Sequence, residues 1–195
     1  MGDTTIRYYT ANAPAFFADT VAVVMDPLYA RFLPQIPPGG HILDAGCGSG
    51  RDTLEFLQAG YRVTAFDASP TLAALAQRHT GQPVQVLLFQ DLAWRREFDG
   101  IWACASLLHV PAADLPEALG RLALALCPGG VLYASFKLGR GERDHRGRRF
   151  TDLDEAGLRA LLAQVPGLTE LETWVTEDLR PGRATEPWLN TLLAA

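Results

Sequence analysis

Three glycines spaced two apart, Gly46, Gly48 and Gly50, follow the apolar run His41-Ile42-Leu43-Asp44-Ala45, and a second apolar run ends on Asp67, twenty-one residues beyond Gly46. Glycine lets backbone approach a ligand closely, and a helix that opens straight after such a turn offers unpaired N–H groups. An acid at the tip of the neighbouring strand suits the two hydroxyls of a ribose. Together these residues imply a site for a nucleoside-containing cofactor. The spacing also discriminates among such cofactors. The dinucleotide fingerprint is Gly-x-Gly-x-x-Gly, and Arg51 stands where its third glycine belongs, which disfavours a nicotinamide-dependent oxidoreductase.

A second group of residues could act on a substrate. His109 follows the fourth apolar run in Ser106-Leu107-Leu108-His109-Val110-Pro111, on the ligand side of the expected sheet, as a general base or as a residue lining the substrate side. Tyr8 and Tyr9 precede the first expected helix as a lid or as anchors of the terminus. Between residues 137 and 149 the chain holds six Lys/Arg against two acids, within a net charge of −5 overall. This run reads as a loop, and with the turn Arg180-Pro181-Gly182-Arg183 it brings two arginine-bearing segments to the same face. Guanidinium forks pair carboxylates and phosphates. Lys137, Arg149 and Arg180 are therefore the candidates for receiving an anionic substrate. No aromatic residue is interleaved between 137 and 149 to stack bases, which disfavours RNA as the partner of that patch.

These residues need a scaffold, and the hydrophobic pattern specifies one. Residues 1–12 read as a polar start, and 13–33 as one or two helices. Strands are expected at 41–45, 62–66, 84–89, 100–105 and 131–136, alternating with helices at 51–59, 70–79 and 114–126. Ser69 followed by Pro70 reads as a helix cap with proline at the first helical position. Asp152 and Glu155 read as the capping pair of a helix ending near residue 164. The last strands, 168–176 and 188–193, are too close for a helical crossover and should pair antiparallel. The fold class is α/β, a Rossmann-like doubly wound seven-stranded sheet, mostly parallel with an antiparallel C-terminal hairpin strand and helices on both faces.

The pattern Asp44-x-Gly46-x-Gly48-x-Gly50 resembles motif I of the class I S-adenosylmethionine (SAM)-dependent methyltransferases. The resemblance continues through Phe66-Asp67-Ala68-Ser69, Gln90-Asp91-Leu92, Phe98-Asp99-Gly100-Ile101-Trp102 and Leu126-Cys127-Pro128-Gly129-Gly130-Val131-Leu132, and so covers residues 40–137. Gly50-Arg51-Asp52 and the short length are similar to the small tellurite-resistance and thiopurine-type members. The resemblance implies SAM as cofactor and S-adenosylhomocysteine (SAH) as product. It assigns Gly46, Gly48 and Gly50 to the methionine moiety, with Ala45, Cys47 and Arg51 in the same loop. Asp44 would hold the loop or the amino group. Asp67 would bind the ribose hydroxyls beside Ala68 and Ser69, and Asp91 with Gln90 and Leu92 would meet the adenine edge. Ala105 and Tyr9 complete the expected cofactor set. No Asn-Pro-Pro-Tyr-like tetrad follows the fourth strand, which disfavours N-methylation of the type that uses it.

On this reading residues 1–38 are a helical cap or lid, 39–137 the SAM-binding core, and 138–195 the substrate-side loop, helix and hairpin. The expected activity is methyl transfer by in-line displacement to a small acceptor, anionic or metalloid. The alternatives are a SAM-binding sensor without catalysis and an RNA methyltransferase using the basic run. Bulk properties fit one globular domain, with 195 residues, 48% hydrophobic and 20% charged. Three cysteines without metal-ligand spacing imply no disulfide framework and no metal centre. Residues 1–10 lack a secretory pattern, Ile6 does not fit the myristoylation pattern, and no apolar run would span a bilayer. The expectation is a cytoplasmic monomer or homodimer acting on a small molecule, without nucleic acid or membrane.

Overall fold

A computed structural model describes residues 3–180 and 186–195. Residues 181–183 of the expected arginine turn lie outside these. The central sheet has seven strands in the order β3-β2-β1-β4-β5-β9-β8. In chain order they are β1 (His41–Ala45), β2 (Arg62–Asp67), β3 (Val84–Val86), β4 (Phe98–Ala103), β5 (Leu126–Lys137), β8 (Thr169–Thr176) and β9 (Trp188–Ala194). The first five are parallel, while β9 runs antiparallel to both β5 and β8. The doubly wound sheet with its antiparallel C-terminal hairpin is as the alternation of strands and helices implies.

Side chains alternate across each strand, so the sheet carries two cores. On one face Ile42, Trp102 and Tyr133 pack against Phe56 of α4 (Arg51–Gln58) and Phe32 of α3 (Asp26–Phe32). On the other, Leu43, Ile101, Leu132 and Ala134 pack against Leu119 and Leu122 of α6 (Leu115–Ala125) and Leu161 of α7 (Glu155–Leu162). The Trp102 and Tyr133 rings stack with centroids 4.0 Å apart.

Three expectations need correction. The polar start is a helix, α1 (Asp3–Ala11), followed by α2 (Ala13–Thr20). Its stability comes from tertiary contact: Thr5 is fully buried, and its Oγ1 accepts the N–H of Arg149 at 3.0 Å. The basic run is not an open loop either. It forms a hairpin of β6 (Gly141–His145) and β7 (Arg148–Asp152), in which Asp144 pairs with Arg149 and His145 with Arg148. Both turn residues have positive φ, 52° at Arg146 and 79° at Gly147, the type I′ geometry whose twist matches paired strands. Finally, the cap of α7 is Asp154, which accepts the Gly157 N–H at 2.8 Å, and Asp152 instead accepts the Arg143 guanidinium. α5 (Pro70–Thr80) does start as the sequence implies, with Ser69 Oγ accepting the Leu72 N–H at 3.3 Å.

Candidate functional site

The carboxyl ends of the parallel strands open into a cavity of about 830 Å³, walled on the far side by α1, α2 and the β6–β7 hairpin. That volume is within the ~300–1,000 Å³ range of small-molecule sites. Gly46 and Gly48 line it, Gly46 at φ +82°. A Cβ on Gly46 would stand 2.6 Å from Ser106 Cβ, so the loop comes as close to the β4 end as backbone permits. We expect Gly46→Ala to lower the affinity for SAH at least tenfold and to reduce thermal stability, because alanine at this φ is strained and the clash moves the loop. Calorimetry on the variant with wild-type affinity would show that the close approach does not matter.

Asp67 is the electrostatic centre of the loop. Its Oδ2 accepts the Gly48 N–H at 2.9 Å and its Oδ1 the Ser69 N–H at 2.8 Å, so one carboxylate ties the glycine loop to the start of α5. Burial pushes it up to about 6 despite these donors. Each oxygen keeps a second lone pair, enough to accept two hydroxyl groups.

Of the other residues expected around the cofactor, Cys47, Arg51, Ala68, Ser69, Ala105 and Tyr9 lie in the cavity wall. Ala105 has a left-handed φ of 52° and its N–H is held by Ser135 Oγ at 2.8 Å. Asp44, Ala45, Gly50, Gln90, Asp91 and Leu92 are outside the wall. Asp44 sits behind the loop and accepts the Thr53 hydroxyl at 2.6 Å, its carboxyl pushed up by burial and by nearby Asp52. Gly50 caps α4, and a Cβ there would meet Ala76 and Thr80 of α5 at 2.9–3.1 Å, so it serves helix packing. Leu87, Leu88 and Phe89 face the cavity where Gln90, Asp91 and Leu92 were expected. The Cys47 and Cys104 thiols are both pushed up by burial, Cys104 to about 12, and stay protonated at neutral pH.

Among the substrate candidates, Tyr8, Tyr9, His109, Lys137 and Arg180 reach the cavity, and Arg149 does not. His109 Nδ1 is 2.6 Å from the Arg149 carbonyl oxygen, which can only accept, so that nitrogen carries the proton. Nε2 therefore accepts the Tyr9 hydroxyl at 2.8 Å. Burial lowers His109 to about 4, leaving a neutral imidazole. Lys137 is bound to Asp178 at 3.2 Å and Glu186 at 2.7 Å, and the Arg180 fork closes on Asp178. Against the burial that would raise it, the Arg180 hydrogen bonds hold Asp178 well below the usual carboxylate range.

Sequence reasoning passed over two features. Arg51 donates to both oxygens of Asp52, at 2.6 and 2.8 Å, and Asp52 also accepts from the Tyr29 hydroxyl and from Trp102 Nε1 at 2.8 Å. Arg148 lines the cavity with its Nε buried and unpaired, and Ser106 Oγ is similarly without a partner. Asp52 stood in plain view within the glycine motif, but its partners come from positions 29 and 102. Arg148 differs from Arg149 only by strand register.

A family model described as a methyltransferase domain matches residues 17–177. The ubiquinone biosynthesis O-methyltransferase of Xanthomonas campestris pv. campestris is 34% identical over 105 residues, covering 50% of this chain and 43% of that protein. The malonyl-[acyl-carrier protein] O-methyltransferase of Serratia marcescens is 34% identical over 138 residues, covering 70% of this chain and 52% of that one. The chain thus spans about half the length of the curated relatives it matches. The crystal structure of a 1,6-didemethyltoxoflavin-N1-methyltransferase from Burkholderia thailandensis, with 1,6-didemethyltoxoflavin and SAH bound, superposes with a TM-score of 0.78 at 25% identity. That match covers 98% of this chain and 87% of that one. The fold is that of the class I SAM-dependent methyltransferases. The chain belongs to the methyltransferase domain family. Among the described residues no helix is long and apolar enough to cross a membrane.

Proposed function

We propose that this domain binds SAM and transfers its methyl group to a small-molecule acceptor. The observation that carries this reading is the Asp67 carboxylate, held by two backbone N–H groups at the end of a cavity whose wall is built from close-approaching glycine backbone. Buried acceptors with spare lone pairs beside side-chain-free backbone fit an adenosyl cofactor. Gly46, Gly48, Asp67, Ala68 and Ser69 would hold it, Leu87, Leu88 and Phe89 offering apolar surface to its base. When bound, SAM supplies a methyl group already activated on a sulfonium, open to in-line displacement by an acceptor lone pair.

The protein's own part is to position the acceptor and exclude water, worth roughly 7–11 kcal/mol when geometry is well set. α1 and α2 form the cap over the cavity, presenting Ile6, Tyr8, Tyr9 and Phe16. His109 is better suited to orienting Tyr9 than to removing a proton. Its Nε2 lone pair is occupied by the Tyr9 hydroxyl, and a group lowered to about 4 gives little driving force for proton transfer at neutral pH. An acceptor that arrives with its nucleophilic atom unprotonated needs no such base. The O-methyltransferase relatives make oxygen the first acceptor atom to test. The hairpin supports a small molecule over RNA, since Arg143 is engaged by Asp152 and Arg149 lies within 3.8 Å of Glu142 rather than forming a free basic arm.

Calorimetric titration with SAM, SAH and NAD tests the cofactor, and incubation with methyl-labelled SAM and small oxygen, thiol and metalloid acceptors tests the transfer. Binding of both adenosyl ligands with label appearing in an acceptor is expected. Adenosyl binding with no transfer to any acceptor would favour the sensor reading, and binding of NAD alone would overturn the proposal.

A further inference from the structure

We propose that Arg148 is the residue that receives a carboxylate of the acceptor. The inference rests on the cavity being the methyl-transfer site and names the group by which its acceptor is recognised. A guanidinium nitrogen buried without a hydrogen-bond partner is costly, and Arg148 Nε is one, in the wall of the cavity. Among the described residues no carboxylate lies within ion-pair distance of Arg148, so its counter-charge is left for a ligand to supply.

Its neighbours do not compete for that role. Lys137, Arg180, Arg143 and Arg51 also line the cavity, and each is paired, with Asp178 and Glu186, Asp178, Asp152 and Asp52 respectively. Arg146 and His145 are exposed at the hairpin turn. Of the carboxylates in the cavity wall, Asp52, Asp152, Asp178 and Glu186 are engaged by cations and Asp67 by backbone N–H groups, while Asp19 and Glu177 are exposed.

The fold also holds the Arg148 guanidinium in one orientation. Its Cζ lies 4.7 Å from the Tyr8 ring centroid, 5.2 Å from Phe150 and 5.9 Å from Tyr9. Rings frame a planar cation and leave its N–H edge for in-plane contacts, the geometry that grips a carboxylate through two parallel hydrogen bonds. The frame is anchored from both sides. Thr5 of α1 holds the Arg149 backbone N–H, and Tyr8 packs beside the hairpin turn, 3.9 Å from where a Gly147 Cβ would be. Strand alternation then sends Arg148 and Phe150 inward and Arg149 outward, so that Arg148 stands in the cavity wall where Arg149 was expected.

The test uses benzoate and its uncharged isostere benzamide, titrated calorimetrically into the free and the SAH-loaded protein. Wild type should bind benzoate at least tenfold more tightly than benzamide. Arg148→Gln should reduce benzoate to the benzamide level, and Arg148→Lys, which keeps the charge without the fork, should fall between. Arg149→Gln should leave benzoate binding unchanged. Melting temperatures and SAH affinity report on folding and on the cofactor end, and neither should move. Equal binding of benzoate and benzamide by wild type, or undiminished benzoate binding by Arg148→Gln, would overturn the proposal. If SAH does not bind while the free protein still discriminates benzoate through Arg148, the cofactor reading fails and the anion site stands.

Discussion

Exchanging Asp67 for alanine lowers the affinity for SAH by a hundredfold or more while leaving a folded protein. Hydrogen bonds to a charged group contribute about 1.5–3 kcal/mol each, and Asp67 would accept two from the ribose, so loss of both exceeds the ~2.7 kcal/mol that corresponds to a hundredfold. The variant also releases the Gly48 and Ser69 N–H groups, which loosens the loop the cofactor rests on. Titration of the variant with near wild-type affinity would remove Asp67 from the site. The same residue gives the wild type a pH dependence. Burial holds it at about 6, so it accepts hydroxyl donors above that pH and loses them below. Affinity should fall about tenfold between pH 7.5 and pH 5, as roughly a tenth of the carboxyl remains ionised at one unit below its midpoint. The titratable groups facing it are Tyr9 and Cys47, both pushed up and uncharged throughout this range, and Asp44 behind the loop, also pushed up. A midpoint well above 6 would assign the dependence to Asp44. Because its folded-state value is raised, Asp67 costs the fold stability that is lost progressively as pH rises from the ordinary carboxylate value of about 3.8, with the full cost present above pH 6. Its own protonation therefore does not unfold the protein at pH 5, and a melting curve at each pH separates binding from stability.

The parts of the site readable in the sequence are those whose physics is local. Gly46 and Gly48 show themselves because a strand followed by close-spaced glycines leaves few conformations, and Asp67 because it ends an apolar run at the right distance. Ser69 before Pro70 is a cap by chemistry alone, and it is one in the structure. The sheet follows from alternating periods, including the antiparallel final pair. What stayed hidden depends on partners distant in sequence. α1 carries too few apolar residues to announce itself, and it is stabilised by the hairpin more than 130 residues away, through Thr5 to Arg149 and Tyr8 to Arg148. The hairpin was hidden because its turn is Arg-Gly rather than Asn-Gly and its strands are mostly charged. Choosing Arg148 over Arg149 required its register. Choosing between Asp152 and Asp154 as a cap required knowing that Arg143 takes the former.

Asp52→Ala should destabilise the domain by about 3–5 kcal/mol, the cost of breaking a buried ion pair by deleting one partner. At roughly 2–4 °C per kcal/mol for a chain of this size, the melting temperature should drop by about 10 °C. The reason lies in what Asp52 satisfies: the Arg51 fork, the Tyr29 hydroxyl and Trp102 Nε1 all end on one carboxylate that is 5% exposed. Burial alone would raise Asp52, yet Arg51 and the two neutral donors hold it below the usual range, so it stays ionised. Removing both charges is a different experiment. Arg51→Met with Asp52→Leu eliminates the stranded cation, and a well-packed apolar pair in place of a buried ion pair is often close to neutral for stability. The double variant should therefore regain most of the lost melting temperature. It should not regain SAH affinity, since Arg51 and Asp52 both face the cavity next to the glycine loop. Recovery of stability without recovery of binding would show that the pair is retained for the shape and charge it gives the ligand end. Recovery of both would make it a scaffold element alone, and a melting temperature unchanged in Asp52→Ala would mean that the four-residue cluster contributes nothing net to the fold.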